Sequence, residues 1–375
     1  MVFSLIKMNN TLIKYIEIVL ALVFMPILCS CSDHNESMVE ERDMDDLVEF
    51  VPFLVQSGSR ASGIAAVLNE FYVTAYQGTL SRGANIHYTY NGSSWASDRS
   101  IVWPTGSKTV SFWGLSQPLS DGRGISNSYI YSDAQYFNFT CDPTDIHDLL
   151  YASNLKTTKA KESGKVSLGF NYALSYPYFT AVQAIDDVTI NIDSVFVHNL
   201  RSTGTLRYDL VKNSVAKWTV VDTLYATYGA KMGSVVTLNP NKKSAVRITP
   251  SWTWIPQIPT LWETAIGAPV SIQQADALHQ VYVEVRCQII KDGHYLWGAP
   301  SGVNEFESVY FPFSTNVSTQ GYKKAIKLKF DGGFLADGTP WKPHDLSGEF
   351  SITEWIMQEV SVDPWEEEEP EDLEF

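Results

Sequence analysis

The sequence predicts an all-β protein whose strands form two antiparallel β-sandwiches in tandem. Short runs alternate apolar and polar residues, which is the period of a strand with one buried face. Turn dipeptides such as Asn-Gly and Asp-Gly separate these runs, and helical periodicity is scarce along the 375 residues. The chain is long enough for two domains with separate cores.

The candidate strands are rich in β-branched and aromatic residues. They lie at residues 71–76, 109–113, 187–192, 194–198, 245–249, 280–286 and 324–330. Turn dipeptides begin at Asn91, Asp121, Asp292, Asp331 and Asp337, each followed by glycine. This spacing of strands and turns is typical of antiparallel sandwiches.

We divide the chain into five segments by composition. They are a signal segment (1–31), an acidic linker with a first strand (32–60), an N-terminal sandwich (61–160), a C-terminal sandwich (161–365) and an acidic tail (366–375). The boundary near 160 follows the polar stretch 153–164, which fits either a linker or a long hairpin loop. A boundary near residue 185 also leaves two workable domains.

The N-terminal segment has the features of a bacterial export signal. Lys7 and Lys14 precede a short apolar stretch at 15–28, which is too short and interrupted to favour a transmembrane helix. The stretch ends in Leu-Cys-Ser-Cys, which resembles a lipobox with Cys31 as the acylated residue. We therefore expect an outer-membrane lipoprotein held in the lipid by Cys31. An ordinary cleaved signal is the alternative.

Charge is concentrated at the two ends of the mature chain. Of the net charge of −15, segment 32–49 contributes eight acids and one base, and the tail contributes seven acids. The body is therefore close to neutral. Because nucleic-acid binding needs a basic face, we expect no nucleic-acid partner.

The sequence offers little that points to catalysis or metal binding. No Gly-x-Ser-x-Gly, His-Glu-x-x-His or glycine-rich phosphate loop occurs, so we expect no catalytic residue and no cofactor. Residues 142–148 combine three carboxylates with a histidine, but a turn is the favoured interpretation, and we expect no metal site. Cys141 and Cys287 either pair or stay as two buried thiols.

A first strand is predicted at residues 47–56, directly after the acidic linker. Ten residues span about 33 Å, roughly the width of a sheet. Pro52 cannot donate a hydrogen bond to a ladder, so the strand is expected at a sheet edge. One face offers Leu47, Val51, Phe53 and Val55, and the other offers Val48, Phe50 and Leu54.

Several segments together resemble the fimbrillin-like family of Bacteroidota, the subunits of donor-strand pili. They are FYVTAY at 71–76, Trp95 followed by WP at 103–104 and VSFWGLSQP at 110–118, DLLYA at 148–152, VSLGFNYALS at 166–175 and IPQ at 255–257. The resemblance covers most of residues 45–365. Tyr172 stands where the family usually has histidine, and the long acidic tail is a second departure.

The resemblance implies two transthyretin-like sandwiches and an assembly route rather than enzymatic activity. The route begins with export as a lipoprotein, after which a surface protease cuts behind an arginine and removes an N-terminal strand. Arg60 is the candidate cleavage site and Arg42 the runner-up. The removable strand is the one carrying Leu47, Val51, Phe53 and Val55.

The resemblance also implies that other pilin subunits are partners through strand exchange. The candidate donor strand carries Ile356, Val360 and Val362, although the same segment also fits the last strand of the second sandwich. The implied function is a structural or accessory subunit of cell-surface fimbriae that supports adhesion to a host or microbial surface ligand.

A second hypothesis is a monomeric surface lipoprotein that binds glycans. Trp252 and Trp254 are two residues apart, so they share one strand face and fit an aromatic platform for a sugar. They fit a packed core or an inter-domain contact at least as well.

Overall fold

A computed structural model of the chain describes residues 46–55, 68–119, 123–130, 134–144, 147–183, 187–209, 216–221, 223–240, 244–250, 252–262, 270–298, 305–313, 320–330, 333–341 and 358–364. From Leu47 onward the chain forms one unit. Over the described residues this unit is nearly all strand, with four sheets and two short helices, which confirms the all-β prediction.

The strands are numbered in chain order. The first twelve are β1 (Glu49–Leu54), β2 (Glu70–Gln77), β3 (Leu80–Tyr90), β4 (Trp95–Ser97), β5 (Val110–Leu115), β6 (Ile125–Ile130), β7 (Ala134–Thr140), β8 (Leu150–Thr157), β9 (Lys165–Tyr172), β10 (Tyr176–Gln183), β11 (Val188–Arg201) and β12 (Thr203–Asp209). The others are β13 (Lys217–Val220), β14 (Tyr225–Leu238), β15 (Val246–Arg247), β16 (Tyr282–Lys291), β17 (His294–Trp297), β18 (Glu307–Pro312), β19 (Tyr322–Phe330), β20 (Gly333–Phe334), β21 (Pro340–Trp341) and β22 (Gln358–Pro364). The helices are α1 (Lys159–Glu162) and α2 (Ile272–Ala277).

One seven-stranded sheet contains most of the early strands, in the order β1-β9-β8-β5-β2-β3-β4. Its neighbours are antiparallel except at one edge, where β1 runs parallel to β9. β1 is therefore an edge strand of this sheet, and its pairing is parallel whereas the other pairings of the sheet are antiparallel.

The central strand β5 separates two hydrophobic cores. All six of its residues are buried, because both of its faces are covered. Phe112 contributes to a core formed by the seven-stranded sheet itself, whereas Trp113 points to a larger core on the other side. That larger core continues through strands of the other three sheets, from Phe137 to Phe330.

The remaining strands form three sheets. Their orders are β14-β11-β16-β18-β20-β21 with β17 beside β16, then β15-β10-β19-β22, and β13-β12-β7-β6. Several pairings agree with the predicted turns. β16 and β17, for example, are joined by Asp292 and Gly293, whose φ angles of 49° and 78° are those that a tight hairpin turn of the primed type requires.

Every candidate strand overlaps a strand of the structure. The runs 187–192 and 194–198 belong to one strand, β11, whose register shifts between Ile192 and Ser194. The polar stretch 153–164 lies within a hairpin, because β8 and β9 pair antiparallel with α1 between them. Strands on the two sides of residue 160 thus pair with each other, as do β7 and β12. The four sheets are compatible with tandem sandwiches, and the division of the chain into domains stays a prediction.

Candidate functional site

The first strand, β1, lies at the edge of the seven-stranded sheet. Its ladder with β9 runs in parallel from Glu49 to Leu54. At its beginning, the Val48 amide donates a hydrogen bond of 2.8 Å to the carbonyl of Ile101, in the segment before β5. Pro52 sits in this edge strand, which confirms the position predicted from its missing N–H.

The inner face of β1 fills the core of the seven-stranded sheet. Val48, Phe50 and Leu54 are buried there, and Pro52 between them is buried as well. These residues alternate along the strand, as the pleat of a half-buried strand requires. β1 therefore completes this core, although it comes before the other strands of the sheet along the chain.

Phe50 is the largest side chain that β1 contributes to this core. Its ring meets Phe71, Tyr88 and Phe112 edge to face, with centroids 6.2, 5.0 and 5.4 Å away. Phe71 and Tyr88 stack on each other at 5.2 Å. Burial raises the pKa of the Tyr88 phenol, because the charged form would lose its solvation among these rings.

The outer face of β1 is the one that carries the four residues predicted for the removable strand. Leu47 and Phe53 are half-buried, whereas Val51 and Val55 are exposed by 36% and 48%. The opposite face of β1, which carries Val48, Phe50 and Leu54, makes the main contact with the core. Glu49 shares the outer face, and its charge was the one signal in the sequence that distinguished the two faces.

A glycine of β9 lets the outer face of β1 lie close to the sheet. Gly169 is the partner of Phe53 in the parallel ladder. A Cβ at Gly169 would lie 2.7 Å from Cγ2 of Val55 and 3.0 Å from Cζ of Phe53, closer than ordinary contacts allow. Pattern alone did not identify Gly169, because its proximity to β1 arises from a pairing between distant segments.

One ion pair joins β1 and β9 at the surface. Lys165 Nζ lies 3.0 Å from Glu49 Oε2, and the two side chains are exposed by 63% and 65%. Such exposed pairs contribute little to stability. Apolar burial and the backbone ladder therefore hold β1 in place.

The candidate donor segment is partly described. Val360 and Val362 lie in β22, which pairs antiparallel with β19, while Ile356 lies outside the described residues. β22 is thus the last strand of its own sheet in this structure. Its backbone shows that this segment adds to a sheet edge in extended form.

The candidate processing positions fall outside the described part of the chain. These are the lipid anchor Cys31 and the cleavage sites Arg60 and Arg42. Among the residues that the structure does describe, no helix is both long and apolar enough to cross a membrane.

The tryptophans considered for a glycan platform are part of the larger core. Trp252 and Trp254 are buried, with rings stacked at 6.3 Å, and both approach Phe179. A sugar platform needs an exposed ring face, which neither residue presents. The core interpretation of this pair therefore replaces the platform.

The remaining polar candidates have structural surroundings. Cys141 and Cys287 are buried free thiols, and burial raises the pKa of both, for Cys141 to about 12. Asp142 accepts hydrogen bonds from the hydroxyl and the amide of Thr144, which lower its pKa and form a turn. Within the described residues no group of His, Cys, Asp and Glu side chains is arranged to hold a metal ion.

Comparison with known proteins places the chain in a family. A family model described as fimbrillin-like matches residues 60–355, and this chain belongs to that family. The family indicates a structural, non-enzymatic protein of the pilus-subunit type at the cell surface. No curated protein sequence matches the chain.

Solved structures of low sequence identity resemble the chain. A fimbrial protein from Bacteroides vulgatus has a TM-score of 0.52 at 12% identity, over 76% of this chain and 94% of that one. A putative cell adhesion protein from Bacteroides ovatus has a TM-score of 0.43 at 11% identity, over 86% and 98%. The fimbrial anchor protein Mfa2 from Porphyromonas gingivalis has a TM-score of 0.37 at 10% identity, over 79% and 94%. At these identities the first comparison supports the fold alone.

Proposed function

We propose that this chain is a fimbrial subunit that assembles by exchanging β1 for a strand of another subunit. In this proposal it is exported as an outer-membrane lipoprotein acylated at Cys31. A protease then cuts after Arg60. Arg42 is the runner-up site, but a cut there would release the lipid and leave β1 on the subunit. The cut at Arg60 separates the lipid, the acidic leader and β1 from the rest of the chain.

The position of β1 is the observation that carries this proposal. β1 is an edge strand, so its departure leaves every other pairing of the seven-stranded sheet intact. It also precedes the other described strands in sequence, and a cut between β1 and β2 leaves the remaining sheet on one continuous chain. A central strand meets neither condition.

The groove left by β1 favours uptake of a new strand. Loss of Val48, Phe50 and Leu54 exposes apolar side chains of the core, and the edge of β9 regains unpaired backbone groups. Each buried side chain of this size contributes about 1.5–3 kcal/mol. An incoming strand restores both the burial and the ladder, as in other cases of strand addition.

The proposed donor is the C-terminal segment that carries Ile356, Val360 and Val362. A subunit that accepts a strand at one site and donates one from another makes a head-to-tail contact, which propagates into an open filament. Pairing of β22 with its own β19 supports the ability of this segment to form an edge strand. Its role as the last strand of its own sheet is the alternative.

In such a filament, many copies of the subunit are displayed at the cell surface, where they support adhesion to host or microbial surfaces. The proposal assigns the chain to the fimbrium, with other subunits as its protein partners. Because Trp252 and Trp254 are buried, they offer no exposed ring face to a glycan.

The first test is the N-terminus of the protein in sheared surface material, determined by mass spectrometry. We expect a new N-terminus at Ala61, lost in an Arg60→Ala variant and retained in an Arg42→Ala variant as the matched control. Material carrying only acylated Cys31, uncut at both arginines, would contradict the exchange mechanism. A cut at Arg42 alone would leave β1 on the subunit and would also contradict its release.

A further inference from the structure

The groove that holds β1 is not uniform along its length. Most of its inner positions accept small or aliphatic side chains, namely Val48, Pro52 and Leu54. Phe50 alone enters a site walled by aromatic rings on several sides. The groove therefore differs at one position, that of Phe50, where the surrounding side chains are aromatic.

The walls of this site belong to strands that stay when β1 leaves. Phe71 lies on β2, Tyr88 on β3 and Phe112 on β5. Phe71 is held by further rings, since Trp95 and Phe170 lie 4.8 and 5.6 Å from it. The site is thus built into the sheet, and Phe50 is its occupant.

The geometry of this site selects for an aromatic ring. Three neighbours meet Phe50 with interplanar angles of 79–86°, the edge-to-face arrangement that aromatic pairs prefer. An aliphatic side chain loses these contacts, and a smaller one leaves a cavity among rigid rings. A polar side chain would be buried without a partner.

We propose that the aromatic site of Phe71, Tyr88 and Phe112 selects the strand donated by another subunit. The chemical class of ligand is an extended peptide with one aromatic side chain at the position of Phe50 and aliphatic side chains two residues before and four residues after it. The C-terminal segment of this chain, which carries Ile356, Val360 and Val362, has no aromatic residue with that spacing. The inference therefore specifies a donor subunit of different sequence, and this chain's own C-terminal segment is not the strand donated to this groove. The site sets the register of the donated strand, because a slip by one residue would place the ring outside the core. This inference rests on the proposed replacement of β1.

The test uses synthetic peptides and the full chain. Residues 57–60 of the chain are replaced by the recognition sequence of a site-specific protease, which is added after folding, so that β1 is held without a covalent link. Fluorescent peptides of residues 47–56 then compete for the groove, and their dissociation constants are compared. Changes are made in the peptide, so the outcome does not depend on whether a variant of the chain folds.

We expect the natural peptide to bind. The Phe50→Ala peptide is expected to bind at least about 100-fold more weakly. A Val51→Ala peptide, changed at an exposed position, is the matched control and is expected within about threefold of the natural peptide. A peptide with Phe50→Val and Val51→Phe has the same composition but the ring on the outer face. It is expected to bind at least about tenfold more weakly.

The outcomes separate this inference from the function on which it rests. If the natural, Phe50→Ala and exchanged peptides bind equally, the aromatic site does not select the strand, while strand replacement still stands. If no peptide enters the groove after cleavage, replacement of β1 fails, and the selection inferred from it fails too.

Discussion

β1 and β5 belong to the same sheet but are held in different ways. β5 is paired on both sides, with β2 and β8, and all six of its residues are buried. β1 has a strand ladder on one side only and buries one face. The same sheet thus contains a strand that joins two cores and a strand that completes one. Only the second kind is suited to replacement by another chain.

The largest expected effect is at Trp113, on the face of β5 that points to the larger core. Trp113→Ala is expected to lower the free energy of unfolding by about 3–5 kcal/mol, because a fully buried aromatic side chain is lost. The loss should be the same before and after removal of β1. Urea denaturation of the intact chain and of the chain freed of β1 measures it.

Phe50→Ala serves as the control for the Trp113 experiment. It is expected to destabilise the intact chain but to have no effect once β1 has been removed. If the chain freed of β1 no longer unfolds in a cooperative transition, then β1 is as integral to the sheet as β5, and the contrast between the two strands is wrong.

The sequence was sufficient for the fold class and for the edge position of β1, but not for its orientation in the core. Pro52 indicated an edge, since a residue without an N–H disrupts a ladder wherever it sits. The strand is apolar on both faces, so alternation alone did not show that Phe50 points inward. Glu49 was the only charge on the strand, and it lies on the outer face.

Other features depend on long-range pairing, which local pattern does not contain. The approach of Gly169 to Phe53 follows from a parallel ladder between β1 and β9, although most neighbours in this sheet are antiparallel. Likewise, the spacing of Trp252 and Trp254 predicted a shared strand face, but the two residues lie outside the strands of the structure. Their rings stack on each other in the larger core, and this burial is decided by packing between distant segments.

An intermediate effect is expected at Gly169, the glycine of β9 beneath the outer face of β1. Gly169→Ala is expected to lower the free energy of unfolding by about 1 kcal/mol, because its Cβ would crowd Val55 and Phe53. Both side chains have room to shift, since they are only partly covered. Chemical denaturation is the measurement.

The matched control for Gly169 is Gly233→Ala on β14, where a Cβ meets nothing within 4 Å. Adding Val55→Ala to Gly169→Ala should recover most of the loss, because it removes the nearest contact. A Gly169→Ala chain as stable as the parent would show that β1 does not depend on close approach to β9.

The smallest effect is expected at the ion pair between Lys165 and Glu49. Lys165→Gln should lower the free energy of unfolding by less than about 0.5 kcal/mol, since both side chains are mostly exposed and water screens the attraction. The difference should disappear in about 1 M salt, where screening acts over only a few ångströms. A double-mutant cycle with Glu49→Gln isolates the pair from other effects. A coupling above about 1 kcal/mol, or one that persists in salt, would mean that charge as well as apolar burial retains β1. In that case an incoming strand would have to supply an acidic residue beside Lys165 in addition to an aromatic one.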